Sequence, residues 1–183
     1  MIEYVLLTHI HKDHFNKKSI VSLHFANKNI KFICCEWLRE PLEKIGIKPY
    51  VIELNTPIKL KNAVISAFSL YHDVENCGWR INFDGFKLIH ATDTQHMDGI
   101  EAVGYQAYFI EANHSEEQID REIKQAQVEG RYTHKIGAKN SHLSIEKANE
   151  FIMNNWNGEA IIRYLHVSSD FDIDNYKSGR YEE

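Results

Sequence analysis

No apolar stretch of this chain approaches the length of a membrane span, and its N-terminus lacks the charged-then-apolar layout of a secretory signal. A cytoplasmic protein without a membrane partner is expected. Paired cysteines are missing as well. Cys34, Cys35 and Cys77 are odd in number, two are adjacent and none forms a C-x-x-C. Neither a disulfide framework nor a thiolate zinc site is therefore suggested, and reduced, buried thiols are expected. Positive charge is in deficit, the net charge being −5, so no bulk basic field attracts a polyanion and any contact with nucleic acid needs a local patch. Lys12, Lys17, Lys18, Arg131, Lys135 and Lys139 are the candidates for such a patch, set against the plainer reading of scattered lysines on a solvated face. Repeats, low-complexity tracts and linkers are also wanting. One domain over residues 1–183 is expected, with 43% hydrophobic residues to fill one substantial core.

What is plentiful is histidine, with 11 residues, the side chain that most often binds metal because it is neutral near pH 7. Their positions follow from the pattern of elements. Ile2–Leu7 is an aliphatic run that reads as a buried strand and ends in the polar cluster THIHKDH. Asn16–Asn27 reads as a helix, Ile30–Cys35 as a strand, and Glu36–Ile45 as a helix that must begin or kink near Pro41. Tyr50–Leu54, Ala63–Tyr71, Trp79–Phe83 and Phe86–Ala91 read as strands, and Asp84-Gly85 between the last two is a hairpin signal. Ala107–Glu111 is a further strand, and Ser115 with Gln118 predicts a capping box for a helix over Glu116–Val128, stopped at Gly130. Ser144 caps a helix over Ile145–Asn154, Ala160–Leu165 is the last strand, and the tail from Ser168 is polar loop. Strands interspersed with helices in this order indicate an α/β or layered α+β fold.

His9, His11, Asp13 and His14 place four metal-ligand side chains within six residues just after a strand. In a turn, such spacing lets alternate side chains diverge, so that one peptide serves two neighbouring ions. A chance polar surface loop is the plainer alternative. It explains poorly why several imidazoles crowd beside one carboxylate.

The arrangement H-x-H-x-D-H after a hydrophobic strand, here Thr8–His14, resembles the signature of the metallo-β-lactamase fold superfamily. His72 in YHDVENCGWRI, Asp93 in HATDTQ and His166 in YLHVSS follow in the order that family has them. The resemblance runs from about Ile2 to Ser168. It implies an αββα sandwich and a dinuclear centre, with His9, His11 and His72 on one metal, Asp13, His14 and His166 on the other, and Asp93 shared. Nitrogen and carboxylate ligands without thiolate suit zinc first and manganese second. The segments EANHSEE and NSHLSIEKANEF are similar to those of the YycJ/WalJ-type branch, and the ribonuclease Z branch has a similar histidine before its last ligand. By that likeness His142 is the proton-handling or phosphate-contacting residue rather than a ligand. The plainer reading makes it an orienter of the following helix cap. His114 reads equally well as structural or as part of the active site.

The resemblance therefore implies a metal-dependent hydrolase, foremost a phosphodiesterase, nucleases included. A hydroxide held between two divalent metals is the nucleophile, Asp13 orients it, and His142 serves the departing oxygen. Hydrolysis of a small ester, thioester, lactone or lactam is the second reading, and a metal-binding but non-catalytic regulatory protein the third. Family members normally place strands ahead of the H-x-H-x-D-H motif. Met1 stands only eight residues before His9, so an N-terminally shortened sandwich is expected, with an exposed sheet edge that invites a homodimer. His24, His90, His96 and His134 are expected to be packing or surface-loop residues.

Overall fold

The computed structural model describes residues 2–171. From residue 172 onward, the polar tail expected from the sequence lies outside the described residues.

Two sheets form the centre. The smaller contains β1 (Tyr4–Leu6), β2 (Lys31–Cys34) and β3 (Tyr50–Val51), all parallel and in that order. Parallel neighbours need a crossover. α1 (Lys17–Ala26) supplies the first, and a short 3₁₀ turn, Glu36–Leu38, running into α2 (Arg39–Glu43) supplies the second. Asn16 caps α1 by accepting the Ser19 N–H at 3.0 Å, and Pro41 falls in the first turn of α2, where its missing N–H costs nothing.

The larger sheet runs β4 (Ile58–Lys59), β5 (Val64–Leu70), β6 (Asn76–Phe83), β7 (Phe86–Ala91), β8 (Ala107–Glu111) and β9 (Ile161–Leu165). Neighbours among its first four strands are antiparallel, and β7, β8 and β9 are parallel. The Asp84-Gly85 hairpin forms as the sequence predicts, with φ of 49° and 99°; a two-residue turn matching the strand twist requires positive φ at both positions. α3 (Glu116–Val128), α4 (Lys135–Ser141) and α5 (Ile145–Asn155) come from the chain between β8 and β9.

Three apolar clusters fix the layers. Leu7, Ile20, Phe32, Leu38 and Leu42 pack α1 and α2 on the outer face of the small sheet. Ile33, Ile52, Ile65, Ala67, Cys77 and Trp79 fill the space between the sheets. Phe68, Ile89, Tyr108, Ile110, Ile145, Phe151 and Ile152 pack the large sheet on its helices. Helix, sheet, sheet, helix is the αββα sandwich of the α/β class. All three cysteines are free and buried, as expected, and no helix of the described residues is long and apolar enough to cross a membrane.

Burial of the inner face of the large sheet falls from β6 to β9. Trp79, His90, Phe109 and Arg163 are successive register partners and so share the inner face. Trp79 is 2% exposed, His90 and Phe109 are intermediate, and Arg163 is exposed. Their neighbour Ile161 is 42% exposed. Among the described residues, β1 has no strand on its other side.

Three expectations need correction. The run Tyr50–Leu54 pairs only at Tyr50–Val51, since the chain turns away by Asn55, whose φ is 59°. The capping box at Ser115 does not form. The Ser115 hydroxyl instead donates to Glu146 Oε1 at 2.8 Å, and the Glu116 N–H donates to Glu146 Oε2 at 3.1 Å. A carboxylate from the first turn of α5 caps α3 because the two helix starts are tied by a bridge between His114 and Ser144. The third correction is α4, which stands where only a linking segment was expected.

Candidate metal centre

Strand ends decide where the chemistry sits. β5 and β7 run the same way as β8 and β9, so their carboxyl ends share one rim of the large sheet, beside the carboxyl end of β1. His9 to His14 follow β1, His72 follows β5, Asp93 follows β7, Glu111 ends β8 and His166 follows β9. In open α/β sheets, the crevice outside these ends is where ligands bind.

The structure brings all seven expected ligand residues together. His9, His11 and His72 offer ligand atoms within 4.8 Å of one another, as do Asp13, His14 and His166, and again His9, His14 and Asp93. Asp93 and His166 hold left-handed backbone, φ 56° and 50°, a costly conformation for side chains other than glycine that gathers at functional sites. Asn76 steadies the first by donating to the Thr92 and Asp93 carbonyls at 3.0 and 2.7 Å.

The donor set fits metal ions. His9 is buried, with Nδ1 3.0 Å from the Thr8 hydroxyl, and its buried Nε2 has no hydrogen-bond partner. Such an orphan is expensive unless something coordinates it. His72 Nδ1–H donates to the Ser141 carbonyl at 3.3 Å, which leaves Nε2 as a lone pair 3.2 Å from His11 Nδ1. His14 Nε2 lies 2.9 Å from Asp93 Oδ2 and 3.4 Å from Asp13 Oδ2. Burial, with His14 close by, lowers His9 to a pKa of about 4, so its imidazole stays neutral. Burial alone would raise Asp93, but the neighbouring His14, His166 and His9 outweigh it and hold that carboxyl far below the usual range.

Glu111, not singled out from the sequence, organises the far side. It is fully buried and accepts the Thr94 N–H at 2.8 Å and the Leu143 N–H at 3.3 Å on Oε2. On Oε1 it meets His142 Nδ1 at 2.6 Å and His166 Nδ1 at 3.0 Å. Both rings are thereby anchored by one nitrogen. His166 Nε2 is 3.5 Å from both Asp13 Oδ2 and Asp93 Oδ1. Glu111 pulls the His166 ring up to a pKa of about 9 in the absence of metal. Asp93, Glu111, His142 and His166 also fall within the same 4.8 Å spacing. The hint in the sequence was an acid closing an apolar strand, AYFIE.

Three further histidines are not in the groups of candidate ligands. His24 contacts Phe25 and Phe32, His96 stacks on Tyr71 with 3.9 Å between ring centres, and His134 precedes α4. Of the basic patch weighed from the sequence, three members are already paired. Lys135 binds Glu122 and Asp170, Lys139 binds Asp120, and Arg131 binds Glu129.

A family model described as "Beta-lactamase superfamily domain" matches residues 1–154. Among solved structures the chain is similar to the metallo-beta-lactamase fold protein YhfI from Bacillus subtilis, with TM-score 0.72 and 16% identity over 94% of this chain and 68% of that one. It is similar to Zn²⁺-bound PqqB from Methylobacterium extorquens, with TM-score 0.68 and 16% identity over 94% of this chain and 62% of that one. The short form of human tRNase Z gives TM-score 0.65 and 16% identity over 92% of this chain and 74% of that one. No curated protein matches the chain.

Proposed function

We propose that this chain, which belongs to the beta-lactamase superfamily domain family and is a metal-dependent hydrolase, cleaves phosphodiesters with the help of two divalent ions. His9, His11 and His72 would hold one ion, Asp13, His14 and His166 the other, and Asp93 both. Zinc suits these nitrogen and oxygen donors first, and manganese second. Bound there, the ions would supply Lewis acidity and the pull that ionises water near neutral pH.

The observation that carries the reading is the Glu111 pair. One buried carboxylate anchors two imidazoles by Nδ1, and each ring keeps Nε2 for other work. His166 turns that nitrogen toward Asp13 and Asp93. His142 lines the adjoining cleft, where its second nitrogen is available to give a proton. An alkoxide leaving phosphorus is strongly basic and needs one as the bond breaks. Asp13, 62% exposed at the mouth of the centre, orients the attacking water.

In the zinc-loaded protein, His142→Ala should lower kcat on bis-p-nitrophenyl phosphate by about 10²–10⁴-fold, with bound zinc unchanged by elemental analysis. Zinc lost from that variant makes His142 a ligand. Turnover of a lactone or β-lactam reporter with none of the phosphodiester overturns the assignment.

A further inference from the structure

Beside the centre, between α3, α4 and the segment after β9, lies a cleft of about 250 Å³. His142 and His166 line it, so a group attached to the reacting phosphorus enters it next. Its volume is below the ~300–1,000 Å³ typical of sites for drug-sized ligands, which suits one ring and one sugar.

Its walls are built for an uncharged polar guest. His114 is 6% exposed, lines the cleft, and has a buried Nδ1 with no hydrogen-bond partner. Gln118 donates its amide N–H groups to Glu122 and to the Asp170 carbonyl, 2.9 and 2.8 Å away, and keeps Oε1 as an acceptor. Ile119 and Val167 add apolar wall.

The outer rim refuses a second phosphate. Lys135 is its lysine, and the ammonium is held by Glu122 at 3.1 Å and Asp170 at 2.8 Å, two carboxylates to one positive charge. A polynucleotide threading this way would need Lys or Arg free to meet its next phosphates, and nearby Lys139 and Arg131 are each bound to a carboxylate.

We propose that the cleft seats a single nucleoside as the departing ester group of a small phosphodiester, with its base against His114 and Gln118 and its sugar hydroxyls toward Glu122 and Asp170. The inference rests on the phosphodiesterase reading. Water adds to phosphorus and sheds a proton, the bond from phosphorus to the nucleoside oxygen breaks, His142 gives that oxygen a proton and is restored by the one that the water shed, and a nucleoside and a phosphomonoester leave.

Thymidine 5′-methyl phosphate and dimethyl phosphate, with departing alkoxides of similar basicity, test this on the zinc-loaded protein. Expected are thymidine and methyl phosphate as products, with kcat/KM at least about tenfold above that for dimethyl phosphate, and a smaller ratio in Gln118→Ala. Calorimetric titration of thymidine into the metal-free protein should show binding that weakens about tenfold in Gln118→Ala and in His114→Phe. Thermal melts establish that both variants fold. Equal kcat/KM for the two esters, methanol as the product, no thymidine binding, or higher kcat/KM on an oligothymidylate overturns the assignment. Turnover of bis-p-nitrophenyl phosphate without thymidine binding removes the cleft and keeps the phosphodiesterase. Thymidine binding with no phosphodiester turned over does the reverse.

Discussion

Glu111 spends its four hydrogen bonds on two backbone N–H groups and two imidazoles, all of them donors. A glutamine there keeps the shape but turns an NH₂ toward a donor, so one ring loses its anchor. Glu111→Gln should weaken zinc binding or activity about 10–100-fold, the usual cost of losing a partner behind a metal ligand. Competition with a chromophoric chelator reads the first and kcat/KM the second; wild-type values for both would reduce Glu111 to a packing residue. At the opposite face, Leu38→Ala removes a fully buried side chain from between α2 and the small sheet. It should cost about 2–5 kcal/mol in urea unfolding.

Strand β6 shows how an element can hang on one residue. A Cβ on Gly78 would stand 2.3 Å from Phe68 Cζ and 2.7 Å from the His90 carbonyl. The backbone oxygen cannot yield, and Phe68 is pinned beneath Arg80, 4.3 Å from its ring centre. Gly78→Ala should therefore destabilise the fold by about 1–3 kcal/mol or more, measured by urea titration; an unchanged midpoint would mean that β6 shifts freely. Such a contact is invisible in sequence, where Gly78 stands just ahead of the expected strand Trp79–Phe83. The elements that were legible carry their own local chemistry. The Asp84-Gly85 turn needs positive φ, Ser144 accepts the Lys147 N–H, and β1 ends abruptly in the H-x-H-x-D-H motif. Ser115 misled because its partner is 31 residues away at Glu146. α4 was hidden because it has no fully buried residue and so no apolar stripe to announce it. Glu111 escaped notice because its meaning is set by two histidines that follow it by 31 and 55 residues.

At the scale of the whole molecule, ions that bind the folded chain alone should stabilise it by mass action. Zinc at about 1,000 times its Kd contributes about 4 kcal/mol, which for a chain of 183 residues is a shift in Tm on the order of 10 °C. A melt with and without a chelator reads it, and no shift would argue against resident metal. The edge of β1, without a neighbouring strand among the described residues, bears on association: copies joined across it should give a dimer mass in light scattering, and a strict monomer sinks that expectation. The candidate ligands also straddle the sandwich. Each three-residue nest draws on the loop after β1 and on a strand end of the opposite sheet, so bound ions would act as a clasp between the two layers. With the clasp undone, the short β1 should be the first strand to peel, and its amides should exchange with deuterium sooner than those of β7 and β8.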